Sequence, residues 1–155
     1  MTSRSSNQSK VMVVAIEYGG QWCSSVRPED GVDLVMVVQL VGEDPLEFAR
    51  RFMQKLVGLV ERGAEIVSAA LAVASAFDVR HLEARCLIAR TLLRTFRGAK
   101  GLLHLVAPRD ATADCRSHLT AIAEGLLENA ATGSQIRVGY ELYRASHPPS
   151  ARVDR

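Results

Sequence analysis

Aromatic side chains make up only 5% of this 155-residue chain, with a single Trp, and lysine occurs only at Lys10, Lys55 and Lys100. So few rings argue against a stacking platform for single-stranded nucleic acid, which needs aromatic faces along a basic groove. Neither sign of charge dominates: 19 basic residues against 17 acidic leave a formal +2. That balance lacks the large field of an obligate nucleic-acid binder, and no nucleic-acid motif appears. Cysteine is scarce too, with Cys23, Cys86 and Cys115 far apart and no CxxC pair. An odd, scattered set argues against a disulfide framework and fits reduced thiols in a cytosol. No apolar run approaches the roughly 18 residues of a membrane span. The polar start MTSRSSNQSK, and the short run VMVVAI that Glu17 interrupts, lack the apolar stretch of about 7–15 residues in a secretory leader. The expected setting is cytoplasmic, without a membrane partner. Arginine supplies the other 16 basic residues and alanine is abundant, a bias matching codon usage in a GC-rich bacterial genome.

What is present is a 48% hydrophobic chain, long enough for one well-packed domain and too apolar to be disordered throughout. Residues 1–10 and 145–155 are Ser-, Pro- and Arg-rich without apolar period and read as disordered tails around a single domain over 11–144. Val11–Tyr18 and Val32–Val41 are short, rich in Val, Ile and Met, and bounded by Gly, as strands are. The segment GGQWCSSVRPEDG between them has turn chemistry and no helical period. It makes either an antiparallel hairpin with a long loop or an unusual crossover, and the hairpin is the expectation.

From Asp44 onward the pattern is regular. Pro45–Arg62 sets Leu46, Ala49, Met53, Leu56, Val57 and Val60 on one side of a helix, with Glu47 in its first turn and Gly63 at the C′ position. Glu65–Ser75 reads as a strand. Val79–Arg97 is a second helix whose expected inward residues are Leu82, Cys86, Ala89, Leu93 and Phe96. Gly101–Ala107 is apolar almost throughout, as a central strand is. A third helix over 111–131 turns Cys115, Leu119, Ile122 and Leu126 inward. Ile136, Val138, Tyr140 and Leu142 alternate with polar or small residues, which predicts one edge strand. The order ββαβαβαβ predicts a five-stranded, mixed, mostly parallel sheet with three helices. It resembles small flavodoxin-like, Rossmann-like layered proteins and universal-stress-type proteins, although the phosphate-binding glycine signature of the latter is missing. That resemblance assigns no function.

Five strands make a sheet roughly 24 Å wide, and a helix covers about 10 Å, so two faces call for four to five helices. Three are visible, yet the strands at 11–18, 32–41 and 101–107 are apolar on both faces. The expectation is a homodimer, isologous, or a protein partner over the uncovered face, with Trp22, Ile136, Val138, Tyr140 and Leu142 as candidate interface residues. The competing arrangement lays the 19–31 loop with Trp22 and the tails over that face.

In open parallel sheets, ligands bind beyond the carboxyl ends of the strands. There stand Glu17, Tyr18, Gly19 and Gly20, then Glu43 and Asp44, then Asp78, Arg80 and His81, then Arg109 and Asp110. If the strands are parallel, Glu17, Asp44, Asp78 and Asp110 meet on one rim, where carboxylates would hold Mg²⁺ for phosphoester hydrolysis. The plainer expectation is capping, because Asp44, Asp78 and Asp110 each precede a helix. Helix N-termini with Arg80, Arg109 and His81 would alternatively receive an anion such as a nucleotide phosphate. No GxGxxG or GxxxxGK[ST] loop supports that, and Gly19-Gly20 alone is weak. Cys115 and His118 lie three apart on the third helix, where a buried structural thiol outweighs a metal or nucleophile pair. His104 reads as a satisfied core histidine. Arg80, Arg90, Arg94 and Arg97 share a face of the second helix and read as a solvated or interface stripe. No catalytic set, metal site or cofactor emerges. The reading is a non-enzymatic module acting by self-association or partner binding, with small-ligand or Mg-dependent phosphoester chemistry as the alternative.

Overall fold

The computed structural model describes residues 9–20, 28–75, 78–96, 101–130, 133–139 and 141–144, with Glu141 and Leu142 described by backbone alone. The chain runs β1 (Lys10–Ile16), β2 (Val32–Val38), α1 (Pro45–Glu61), β3 (Glu65–Ala72), α2 (Val79–Thr95), β4 (Leu102–Val106), α3 (Ala113–Leu127), β5 (Gln135–Val138) and β6 (Glu141–Arg144). The six strands form one sheet in the order β2-β1-β3-β4-β5-β6. Every pairing is parallel except β5 with β6. The α/β class and the mostly parallel sheet are as expected from the alternation.

Three expectations are corrected. The sheet has six strands, because the alternation over 136–142 is broken by a turn at Gly139 into two short antiparallel strands. β1 and β2 are parallel neighbours, not a hairpin, with Lys10 beside Val32 and Ile16 beside Val38. A parallel pair needs a connection of a dozen or more residues, and 17–31 supplies that length. Lys10, assigned to the N-terminal tail from the sequence, lies in β1, and Ser9 O accepts from Glu65 N at 2.7 Å. The predicted C-terminal tail lies outside the described residues.

All three described helices lie on one face. Phe48, Phe52 and Leu56 of α1, Ile88 and Leu92 of α2, and Leu119 and Ala123 of α3 share one cluster with Val11, Val13, Ala15, Leu71, Leu103 and Ile136. Right-handed crossovers produce this when each step moves the same way across the sheet, as β2 to β3 to β4 to β5 does. The opposite face carries Met12, Val14, Ile16, Ala70 and Ala72, all buried, with Val32 and Val106 partly so. None of the described helices contributes to that second cluster.

The helices sit rotated from the expected faces. α1 buries Phe48, Ala49, Phe52, Leu56 and Leu59, leaving Val57 at 54% exposure. α2 buries Ala84, Arg85, Ile88, Ala89 and Leu92, and leaves Leu82 exposed and Cys86 and Leu93 half-buried. α3 buries Cys115, Leu119, Ile122, Ala123 and Leu127, close to expectation. The helix end at Gly63 is as read: φ is +91°, Gly63 N donates to Val60 O and Ala64 N to Leu59 O, both at 3.0 Å. Those two bonds close a Schellman-type turn that favours glycine.

Candidate functional site

The chain leaves β1 for β2 on one side and returns to β3 on the other, so strand order reverses between β1 and β3. Beyond the carboxyl ends of that pair lies the crevice where open α/β sheets take ligands. Here this chain places its own carboxylate. Glu17 is buried, and its Oε1 accepts from Ala74 N at 2.8 Å. Arg85, fully buried on α2, donates from Nε to Glu17 Oε2 at 2.6 Å and from Nη2 to Glu17 Oε1 at 2.7 Å. Arg85 Nη2 also donates to Ala74 O at 3.3 Å. The bidentate fork thus ties the ends of β1 and β3 to α2, and the Ala74 N–H that an anion would use is already satisfied.

Gly20 explains how close the two strand ends come. Its N–H donates to Glu17 O at 2.7 Å. A Cβ there would stand 2.7 Å from Ala72 O and 3.0 Å from Glu17 O, so no larger residue fits without backbone movement. Gly19-Gly20 therefore makes a tight turn against β3.

Because β1 to β4 are parallel, Glu17, Asp44, Asp78 and Asp110 do share one rim, but three of them are engaged. Asp44 is the N-cap of α1, accepts from Leu46 N at 3.0 Å and pairs with Arg80 of α2 at 2.6 Å. Hydrogen bonds from Arg80 and Leu46 hold its carboxyl below the usual range, against a desolvation that works the other way. Asp78 caps α2, accepting from His81 N at 3.0 Å and meeting His81 Nδ1 at 2.8 Å, which lowers its pKa. Asp110 is corrected: it sits exposed in the turn before α3, and the N-cap is Thr112, whose Oγ1 accepts from Cys115 N at 3.2 Å. The turn Pro108–Ala111 places the helix start two residues later than the sequence suggests. Arg109 is exposed in the same turn. Among the described residues, no group of three or more His, Cys, Asp or Glu could hold a metal ion.

A polar lattice that the sequence did not announce closes the β2 end of the rim. Gln39, buried, accepts from Tyr18 N at 3.0 Å and donates to Glu43 O at 2.7 Å. Arg51 of α1 donates to both oxygens of Glu43 at 2.8–2.9 Å and to Val38 O at 2.7 Å. Its guanidinium holds Glu43 below the usual carboxylate range.

The remaining candidates resolve simply. Cys115 is buried and its thiol is pushed up by burial, as a structural thiol is. Burial lowers His118, with Arg85 adding to the effect. His104 points to the face opposite the described helices, lowered to about 4 by burial and by Arg137 beside it, with Nδ1 lacking a partner among the described residues. It is half-buried and belongs to neither apolar cluster, so it is not the core histidine the sequence suggests. Arg80, Arg90 and Arg94 are exposed, as a solvated stripe requires, while Arg97 lies outside the described residues. A cleft of about 390 Å³ between α1 and α2 is lined by Leu56, Val60, Thr91 and Arg94, in the later turns of both helices. It faces away from the rim.

For the interface candidates the outcome divides. Ile136 and Val138 are buried in the helix-side core and form no surface. Trp22 and Tyr140 lie outside the described residues, as does the side chain of Leu142. Exposed apolar side chains stand elsewhere, and those in one row are on β2: Leu34 at 40%, Met36 at 45% and Val38 at 46%, followed by Leu40 and Val41. Their partners in register are Met12, Val14 and Ile16, so the row lies on the face opposite the described helices. Alternation with Val35 and Val37, which pack on the helix side, is the signal in the sequence that marks it.

The fold is therefore a mixed, mostly parallel α/β sheet with an internally neutralised switch point and an apolar outer strand. No described helix is long and apolar enough to cross a membrane. No family model, curated protein or solved structure matches this chain.

Proposed function

We propose that this chain is a non-enzymatic interaction module whose working surface is the β2 side of the face opposite the described helices. One observation carries the reading: an outer strand, VDLVMVV, has a single charged residue and sets Leu34, Met36 and Val38 in solvent. Outer strands are normally blunted by lysine, proline or bulges, because bare edges recruit other strands. β2 has none of these, and its apolar row extends into Leu40 and Val41. The crevice that would serve small-ligand or Mg-dependent phosphoester chemistry is filled by Glu17 and Arg85, and the carboxylates of Asp44 and Asp78 cap helices.

Thermal melts across protein concentration, with and without Mg²⁺, Mn²⁺ and nucleotides, test this. The expected result is a midpoint that rises with protein concentration and ignores the additives. A ligand present at 100 times its dissociation constant adds about 2.7 kcal/mol. A shift of that kind with metal or nucleotide, without concentration dependence, overturns the proposal.

A further inference from the structure

We infer that what covers β2 is a second copy of this chain, its β2 antiparallel to the first across a two-fold axis at Val35. This rests on the reading of β2 as an interaction surface, and adds what binds there and in which register.

The backbone supplies the argument. Along a strand, each residue turns its N–H and C=O to the same side, and neighbours alternate. Gln39 N donates to Ile16 O at 2.8 Å, so Gln39, Val37, Val35 and Asp33 turn toward β1. Val32, Leu34, Met36 and Val38 turn outward. Two of their eight groups are already used: Val32 N donates to Glu29 O at 3.0 Å, and Val38 O accepts from Arg51 Nη2 at 2.7 Å. Among the described residues nothing bonds the other six, which are Val32 O, both groups of Leu34, both of Met36, and Val38 N.

Antiparallel pairs in which two residues exchange both bonds would satisfy such an edge. A two-fold centred on Val35 sets Leu34 opposite the second copy's Met36, and Val32 opposite its Val38. All six open groups on each copy then find partners. The two occupied groups, Val32 N–H and Val38 O, fall opposite each other and need none. Centring on Leu34 instead leaves Met36 O and Val38 N open, and centring on Met36 leaves Val32 O and Leu34 N open. The edge is self-complementary in one register.

Side chains agree with that register. Leu34, Met36 and Val38 of both copies merge into one apolar strip on the face opposite the described helices. Asp33 lies on the helix side with Val35 and Val37 and falls opposite the second copy's Val37, clear of its own symmetry mate. It is brought to the end of β2 where Arg51 of that copy holds Val38 O, so opposite charges meet at both ends of the pair. Two six-stranded sheets become one of twelve strands.

The test uses the full chain in a background with Cys23, Cys86 and Cys115 replaced by serine, carrying Val35→Cys, Leu34→Cys or Met36→Cys singly. The central antiparallel pair has a Cα separation of about 4.5 Å, within the span of a disulfide. Sedimentation at micromolar concentration should show a dimer. Val35→Cys should crosslink to itself, whereas Leu34→Cys and Met36→Cys should crosslink only when mixed with each other. Met36→Lys should weaken the dimer on the order of a hundredfold with unchanged circular dichroism, since it sets charges into an apolar strip. A dimer dissolved by Met36→Lys but crosslinking through Leu34→Cys alone or Met36→Cys alone overturns the register and leaves the interaction surface standing. A dimer indifferent to Met36→Lys overturns the inference. A monomer throughout, with a melt raised by metal or nucleotide, overturns both this inference and the functional reading beneath it.

Discussion

Arg85 is the residue on which the rim depends. A guanidinium out of contact with water persists because Glu17 returns a bidentate carboxylate and the Ala74 carbonyl accepts a further bond. Glu17→Gln should therefore destabilise the fold by about 3–5 kcal/mol in urea denaturation, because it leaves the charge of Arg85 buried without its counter-ion. The double change Glu17→Leu with Arg85→Met should recover much of that loss, since a well-packed apolar pair is often as stable as the ion pair it replaces. His104 makes a second prediction. Its folded pKa of about 4 lies below the ordinary 6.5, so the unfolded chain takes up the proton first as pH falls. Stability is complete above about pH 6.5 and declines as pH drops toward 4, and His118, lowered too, acts in the same direction. Urea midpoints at pH 7, 5 and 4 should show the decline, and His104→Gln should flatten it. Glu17 stood out in the sequence as a charge ending an apolar run. Arg85 did not, because α2 carries two competing apolar stripes, and the one through Cys86 and Leu93 looked as good as the one through Ile88 and Leu92 that the fold uses.

Helix boundaries were legible where local chemistry alone sets them. Asp44 before Pro45, Asp78 before α2 and Gly63 after α1 are decided by groups within a few residues. The start of α3 was misread because Asp110 and Thr112 are both good caps, and the turn closing from Ala111 N to Pro108 O selects the second. Thr112→Ala should accordingly cost about 1 kcal/mol, while Asp110→Ala should change stability by less than about 0.5 kcal/mol. Thermal melts of the two variants decide between them. The direction of β2 was not legible, since a fifteen-residue connection permits either hand of pairing and the strand is apolar enough for both.

At the scale of the whole molecule, the three described helices lie on one side of the six-stranded sheet, and the other side differs along its width. Its centre, at Met12, Val14, Ile16, Ala70 and Ala72, is buried, and its β2 margin is in solvent. The count of helices against strands led to an expectation of uncovered apolar surface on several strands; Met12, Val14 and Ile16 of β1 are instead buried, and the exposed row lies on β2. Association through that row predicts a melting midpoint that depends on protein concentration in the native chain and becomes independent of it in Leu34→Lys/Met36→Lys. Differential scanning at two concentrations spanning about a hundredfold would show the change.

By itself the sequence determined what depends on neighbours along the chain: the alternation of strands and helices, most caps, and the class of fold. Those follow from periodicity and capping, which act over a few residues. Tertiary structure alone decided the parallel pairing of β1 with β2, the roll of α2 that turns Arg85 inward, and the seating of all three described helices on one face. Each of these brings together residues tens of positions apart, and no local preference distinguishes it from its alternative until the sheet exists to be packed against.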